Sequence, residues 1–155
     1  MNAQGSDALF PLVYLEVRDN ASVDELRAMF EVIRAAGKRG TRHVTMTDSG
    51  GVKGMPDATV RRFVAEQQAD VERKYGHLVI GSAVVVNSAV VRGALTAINW
   101  IKPTTVQQVY STSTADALAQ CVRWLEGERI VVPSALRDFQ RAVASNPRTP
   151  PPGFR

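Results

Sequence analysis

A hydrolase would need a nucleophile, a base and an orienting acid, and this 155-residue chain offers two histidines as bases, His43 and His77. Both immediately precede β-prone stretches, HVTMT and LVIGSAVVV. In an open α/β sheet, ligand chemistry gathers at the carboxyl ends of the strands, so both histidines are expected on the rim opposite any cleft. The sequence holds no G-x-S-x-G elbow, no phosphate loop ending in Gly-Lys-Ser or Gly-Lys-Thr, and no G-x-G-x-x-G fingerprint. Its acids do not cluster with the histidines, and the lone Cys121 can form neither an internal disulfide nor a thiolate metal cluster. The expectation is a chain without turnover, cofactor or metal; an unrecognised hydrolase ranks below the binding readings.

The residues suited to recognition sit where strands are expected to end. Asp48, Ser49, Gly50 and Gly51 have the chemistry of a turn, and Asn87 and Ser88 follow the longest apolar run. Backbone amides there could hold an anion or a partner's carboxylate, although Asp48 and Ser49 can also satisfy their own turn while Ser88 caps a helix. Arg92, Asn99 and Lys102 decorate the helix after Ser88. Arg92 falls in its first turns, where a cation gains nothing from the helix dipole and so points to a partner or an acidic neighbour.

These residues need a scaffold, and its centre is Leu78 to Val86, apolar on both faces as in a strand covered by helices on each side. This stretch is expected to be the central strand. It feeds a helix that runs to Trp100 and stops before Pro103. Upstream, Phe10 to Val17 reads as the first strand, with Pro11 at its start. Ser22 and Glu25 form a capping-box pattern ahead of Leu26, Met29, Phe30 and Ile33, which recur at helical spacing until Gly37. His43 to Thr47 is a short second strand; Asp57 then caps a long helix closed by Gly76. Val106 to Tyr110 reads as the last strand, and Ser113 opens a helix carrying Leu118, Cys121, Val122 and Leu125. The alternation predicts one α/β domain over residues 10–144, with a four-stranded mixed or mostly parallel sheet. Ile130 to Val132 links to an additional C-terminal helix at Pro133 to Ala144.

Residues 1–9 are expected to be flexible, and Ser145 to Arg155, with four prolines and two arginines in eleven residues, to form a disordered tail. The start lacks a secretion signal and no apolar run is long enough to span a bilayer, so the expected location is cytoplasmic and no transmembrane segment is expected. A net charge of +4 raises the question of nucleic acid, but the densest basic group is only Lys38, Arg39 and Arg42, without interleaved aromatics, so no nucleic-acid partner is expected.

The segment from Asp48-Ser49 to Met55-Pro56-Asp57-Ala58, taken with Asn87-Ser88, Arg92-Gly93-Ala94, Asn99-Trp100, Ala115-Asp116-Ala117-Leu118 and Trp124-Leu125, resembles the STAS-like domains of the SpoIIAA-like (STAS/SEC14-like) group. The resemblance covers roughly Leu12 to Leu125 and implies a non-catalytic protein–protein interaction module of bacterial-type signalling or assembly. Its contact surface would be the second and third helices with their preceding loops: Asp48, Ser49, Asp57, Thr59, Arg61, Arg62, Asn87, Ser88, Arg92 and Asn99. In the antagonist branch a serine at the second helix start is phosphorylated; here the matching position is Ala58, which leaves Thr59 as the candidate, beside Arg61 and Arg62. The SEC14-like branch implies the alternative, a carrier or sensor of a lipid or other apolar small molecule held between sheet and helices. Self-association through a strand edge or the apolar helix from Ala89 to Trp100 is a further expectation.

Overall fold

Five strands, one more than expected, make a single mixed sheet in the order β1-β2-β3-β4-β5. The structure is a computed structural model and describes residues 1–154. In chain order the elements are β1 (Ala3–Leu9), β2 (Leu12–Arg18), α1 (Val23–Lys38), β3 (His43–Gly51), α2 (Ala58–Tyr75), β4 (Val79–Val85), α3 (Ala89–Ile101), β5 (Gln108–Ser111), α4 (Thr114–Gly127) and α5 (Ser134–Ser145). The hairpin β1-β2 is antiparallel, while β2 through β5 are parallel.

The additional strand is the stretch expected to be flexible. Ala3–Leu9 has little β-propensity in its side chains, yet its backbone pairs with β2 from Ala3↔Val17 to Leu9↔Leu12. Only Ala3, Ser6 and Leu9 are buried, as suits an edge strand held mainly by main-chain bonds. A second correction concerns Asp48 to Gly51, expected as a turn. They continue β3, paired on one side with Glu16 and Arg18 and on the other with Val85. The central strand is therefore β3, and β4 lies one place from the edge, still flanked on both sides.

Helix boundaries follow the cap chemistry. Ser22 accepts from the Glu25 backbone N–H at 3.1 Å and the Glu25 carboxylate accepts from the Ser22 N–H at 3.2 Å, completing the capping box of α1. Asp57, Ser88 and Ser113 cap α2, α3 and α4 in the same way, each accepting from the backbone N–H three residues on. No helix among the described residues is long and apolar enough to cross a membrane.

The strand order decides which face each helix covers. From β2 to β5 every parallel step goes in the same direction, so right-handed crossovers put α1, α2 and α3 all on one face. The other face is left to α4 and α5. There, Leu12, Tyr14, Val44, Met46, Ala83 and Val85 pack against Leu118, Cys121, Val122, Leu125 and Phe139 in one continuous core. Close approach is possible because β4 has Gly81 beneath Trp124: a Cβ on Gly81 would lie 2.8 Å from three ring carbons.

The tail also departs from expectation. Ser6 Oγ donates to the Pro152 carbonyl at 2.8 Å, Pro151 is buried, and the Phe154 ring stands edge-on to Tyr14 at 5.5 Å. Prolines lose little conformational freedom on docking, and one aromatic anchor then holds the segment to the hairpin. Arg155, the last residue of that predicted tail, lies outside the described residues.

Candidate functional site

The two faces of the sheet are packed differently. On the first, α4 lies closely on β3, β4 and β5; on the second, α1 packs on the β1-β2 hairpin, α2 lies against α1 and α3, and α2 and α3 reach the apolar residues of the sheet through Val71 and Val91. The apolar residues of the second face consequently split into two groups. One joins Val13, Leu15, Leu26, Met29, Phe30 and Val71; the other joins Val84, Val86 and Val91. Between them lies a cavity of about 860 Å³. That volume is in the range of small-ligand sites, about 300–1,000 Å³.

The cavity roof is apolar: Met29, Phe30 and Ile33 from α1, Val60 and Val64 from α2, and Ala94, Leu95 and Ile98 from α3. The floor is mixed. Strand periodicity turns Thr45, Thr47 and Ser49 of β3 to this side, and the register sets Thr45 beside Ser82 of β4, with Gln108 of β5 next in the row. Ser49 donates to the Val85 carbonyl of the neighbouring strand. Thr45, Thr47 and Ser82 make no side-chain hydrogen bond among the described residues, and since no fully buried side-chain oxygen or nitrogen there is left unpaired, these hydroxyls open on the cavity. Gln68 and Glu72, one helical turn apart on α2, complete this end; the Glu72 carboxylate accepts from the Thr104 hydroxyl and, at 3.1 Å, from the Thr105 N–H.

At the carboxyl edge of the sheet, the β3–α2 loop crosses the cavity. The Asp19 carboxylate accepts from the Lys53 N–H at 3.0 Å and the Gly54 N–H at 3.1 Å, and these bonds hold its pKa below the usual carboxylate range. Beyond this anchor, Met55 reaches α3 beside Gly93. Gly54, Met55, Pro56 and Asp57 all line the cavity, so the loop is a strap from β2 to α3.

The residues predicted for recognition are dispersed relative to this cavity. Ser49 and Asp57 line it. Asp48, adjacent to Ser49, faces the opposite side, where its carboxylate accepts from the Gly50 N–H at 2.9 Å and the Tyr14 hydroxyl at 3.4 Å. Burial, then the charges of Asp48 and Glu16, push the Tyr14 phenol far above its ordinary value. Asn87 rests its amide over Gly50, where any Cβ would lie 2.6 Å from the amide nitrogen, and Ser88 serves as a cap. Thr59 and Arg62 are exposed in the opening turns of α2, and Arg61 donates to the Pro56 carbonyl. Arg92 is exposed on α3; Asn99, seven residues on, is about 10 Å farther along that helix and is not brought to the others.

The histidines stand at the amino edge, as the sequence indicated. His43 is buried, its Nδ1 2.9 Å from the Thr41 carbonyl oxygen and its ring 5.8 Å from Phe10; burial holds its basicity below the ordinary value. No group of three or more potential metal ligands exists among the described residues. Sequence reasoning missed Thr45, Thr47, Ser82, Gln108, Gln68 and Glu72. The available signal was the alternation of hydroxyls in HVTMTDS, which puts polar groups at every second position of a buried strand.

Comparison with protein families, with curated proteins and with solved structures finds no match to this chain. The geometry alone therefore supports the functional reading.

Proposed function

We propose that this chain is a non-catalytic carrier or sensor that binds an apolar small molecule between its sheet and the layer of α1, α2 and α3. One observation carries this reading: the 860 Å³ cavity between two apolar clusters that fail to merge. A folded interior normally closes such gaps, because lining atoms facing empty space lose their dispersion contacts. The opposite face of the same sheet is closed in that manner by α4 and α5. The resemblance to the SEC14-like branch agrees in kind with this reading.

The test is native mass spectrometry of the purified chain together with uptake of Nile red, a neutral solvent-sensitive dye. A constant additional mass that extracts into organic solvent, or saturable dye fluorescence at one site per chain, is expected. A clean chain mass with no saturable dye uptake overturns the proposal.

A second reading, a STAS-like module docking another protein, is favoured by the outer face of α3. There Val90, Trp100 and Ile101 are exposed, Trp100 to 83%. Phosphorylation of Thr59 belongs to this reading. Trp100→Glu would abolish partner capture and leave dye uptake unchanged; loss of both together would count against it.

A further inference from the structure

The cavity's polar groups are arranged unevenly, and the arrangement discriminates among apolar ligands. Four ionisable side chains line it: Arg18, Asp19 and Asp57 at the carboxyl edge, and Glu72 at the amino edge. Among the described residues Arg18 is the only cation lining it, and it is turned outward, its side chain 57% exposed and paired with Glu16 at 3.1 Å. Asp19 is committed to the strap and Asp57 to the α2 cap.

At the amino edge the groups with spare hydrogen-bonding capacity are uncharged. Thr45 and Ser82 stand side by side on adjacent strands, about 4.8 Å apart by sheet geometry, with hydroxyls unpaired among the described residues. Gln108 accepts from the Tyr110 hydroxyl at 3.0 Å through its oxygen and keeps its amide N–H groups for the cavity. Glu72 is the one charge at this end, with no cation among the lining residues nearby. A ligand carboxylate or phosphate placed here would meet the like charge of Glu72 without a counter-ion, whereas a hydroxyl or carbonyl oxygen would meet donors and acceptors in reach.

Resting on the ligand-binding reading above, we infer that the site selects uncharged amphipathic molecules, a long-chain alcohol or a similar apolar body with one hydroxyl or carbonyl group, seated with that group on Thr45, Ser82 and Gln108, and discriminates against the corresponding acids. The apolar body then lies along Phe30, Val64, Leu95 and Ile98 beneath the strap.

The experiment is displacement of Nile red by 1-dodecanol and by dodecanoate, equal in chain length, below their aggregation concentrations at neutral pH. The alcohol is expected to displace the dye at a concentration at least tenfold lower than the acid. Thr45→Val with Ser82→Ala, which conserves shape, is expected to weaken the alcohol about fivefold or more, its affinity worked out from displacement with the dye's own affinity measured on the same variant. Glu72→Gln is expected to raise the affinity for dodecanoate and narrow the preference. Equal displacement by alcohol and acid in the wild type, or preference for the acid, overturns the inference while the dye signal leaves the binding reading standing. Unchanged preference in both variants, each checked for a cooperative melt, also overturns it. Absence of dye uptake by the wild type removes the binding reading itself.

Discussion

Enlarging an alanine on either side of the sheet separates an open cavity from a packed core. Ala94 on α3 is 4% exposed and faces the cavity, whereas Ala117 on α4 is fully buried in the closed core of the opposite face. Replacing either by leucine adds three carbons to a helix, with almost no change in helix propensity. In the cavity those carbons leave water or empty space for contact with Phe30, Val64 and Leu95. At about 0.8 kcal/mol per buried carbon the ceiling is ~2.4 kcal/mol, and partial contact reduces this to about 1–2 kcal/mol of stabilisation for Ala94→Leu. Ala117→Leu must force apart α4 and the sheet, at a cost of about 1–3 kcal/mol. For a domain of this size each kcal/mol moves the melting midpoint by roughly 2–4 °C, so the two variants are expected to move in opposite directions. Calorimetry or circular dichroism melts of the ligand-free chain provide the readout, and Ala94→Leu should also weaken Nile red uptake. Equal destabilisation by both substitutions would refute the claim that the α1–α3 side is less well packed than the α4 side.

The docked tail predicts that Phe154→Ala removes the edge contact with Tyr14 and costs about 1–2 kcal/mol, half or less of a fully buried phenylalanine; an unchanged denaturation midpoint would show that the tail is not held. Burial pushes the Cys121 thiol up to about 12, so the native chain should resist alkylation at pH 8 and react only on global unfolding, as read by mass; rapid native labelling would contradict this packing. The Asp19 carboxylate titrates below its ordinary range because it accepts the Lys53 and Gly54 N–H groups, so the strap's anchor is complete at neutral pH and is lost as pH falls below about 4 and through the depressed native value. The amide resonances of Lys53 and Gly54 should shift through that window, and Asp19→Asn should place them near their acid positions at pH 7; amides insensitive to both changes would discount the anchor.

What could be read from the sequence was governed by side-chain pattern and cap chemistry. Ser22, Asp57, Ser88 and Ser113 mark helix starts through a local hydrogen bond, so four helices were legible to within a residue or two at their amino ends. β1 was not, because Ala3–Leu9 owes its form to main-chain pairing with β2 and carries no alternating apolar pattern. Asp48 to Gly51 look like a turn in isolation; two flanking parallel strands override that local preference. Leu78 to Val86 looks central because both its faces are apolar, but any strand flanked on both sides shares that property, β3 included. The resemblance implied a ligand between sheet and helices, but the lining could not be read off the residues: Met29, Val64 and Leu95 are the residue types of an ordinary core, and only the gap between the two apolar clusters makes them a lining. Of the proposed site, Ser49 and Asp57 alone were singled out from the sequence for recognition.

The one-directional strand order also sets a sequence of events during synthesis. Each strand pairs with the one made just before it, so the sheet can grow in step with the emerging chain. By the time β5 has left the ribosome, α1, α2 and α3 and all five strands are present, and every wall of the cavity exists. The reverse side is then still bare, with Leu12, Val44, Met46 and Ala83 awaiting α4 and α5. A nascent chain that has emerged only as far as about residue 112 thus holds a finished ligand chamber beside an uncovered apolar sheet, which makes emergence of α4 and α5 the interval most exposed to aggregation or chaperone capture.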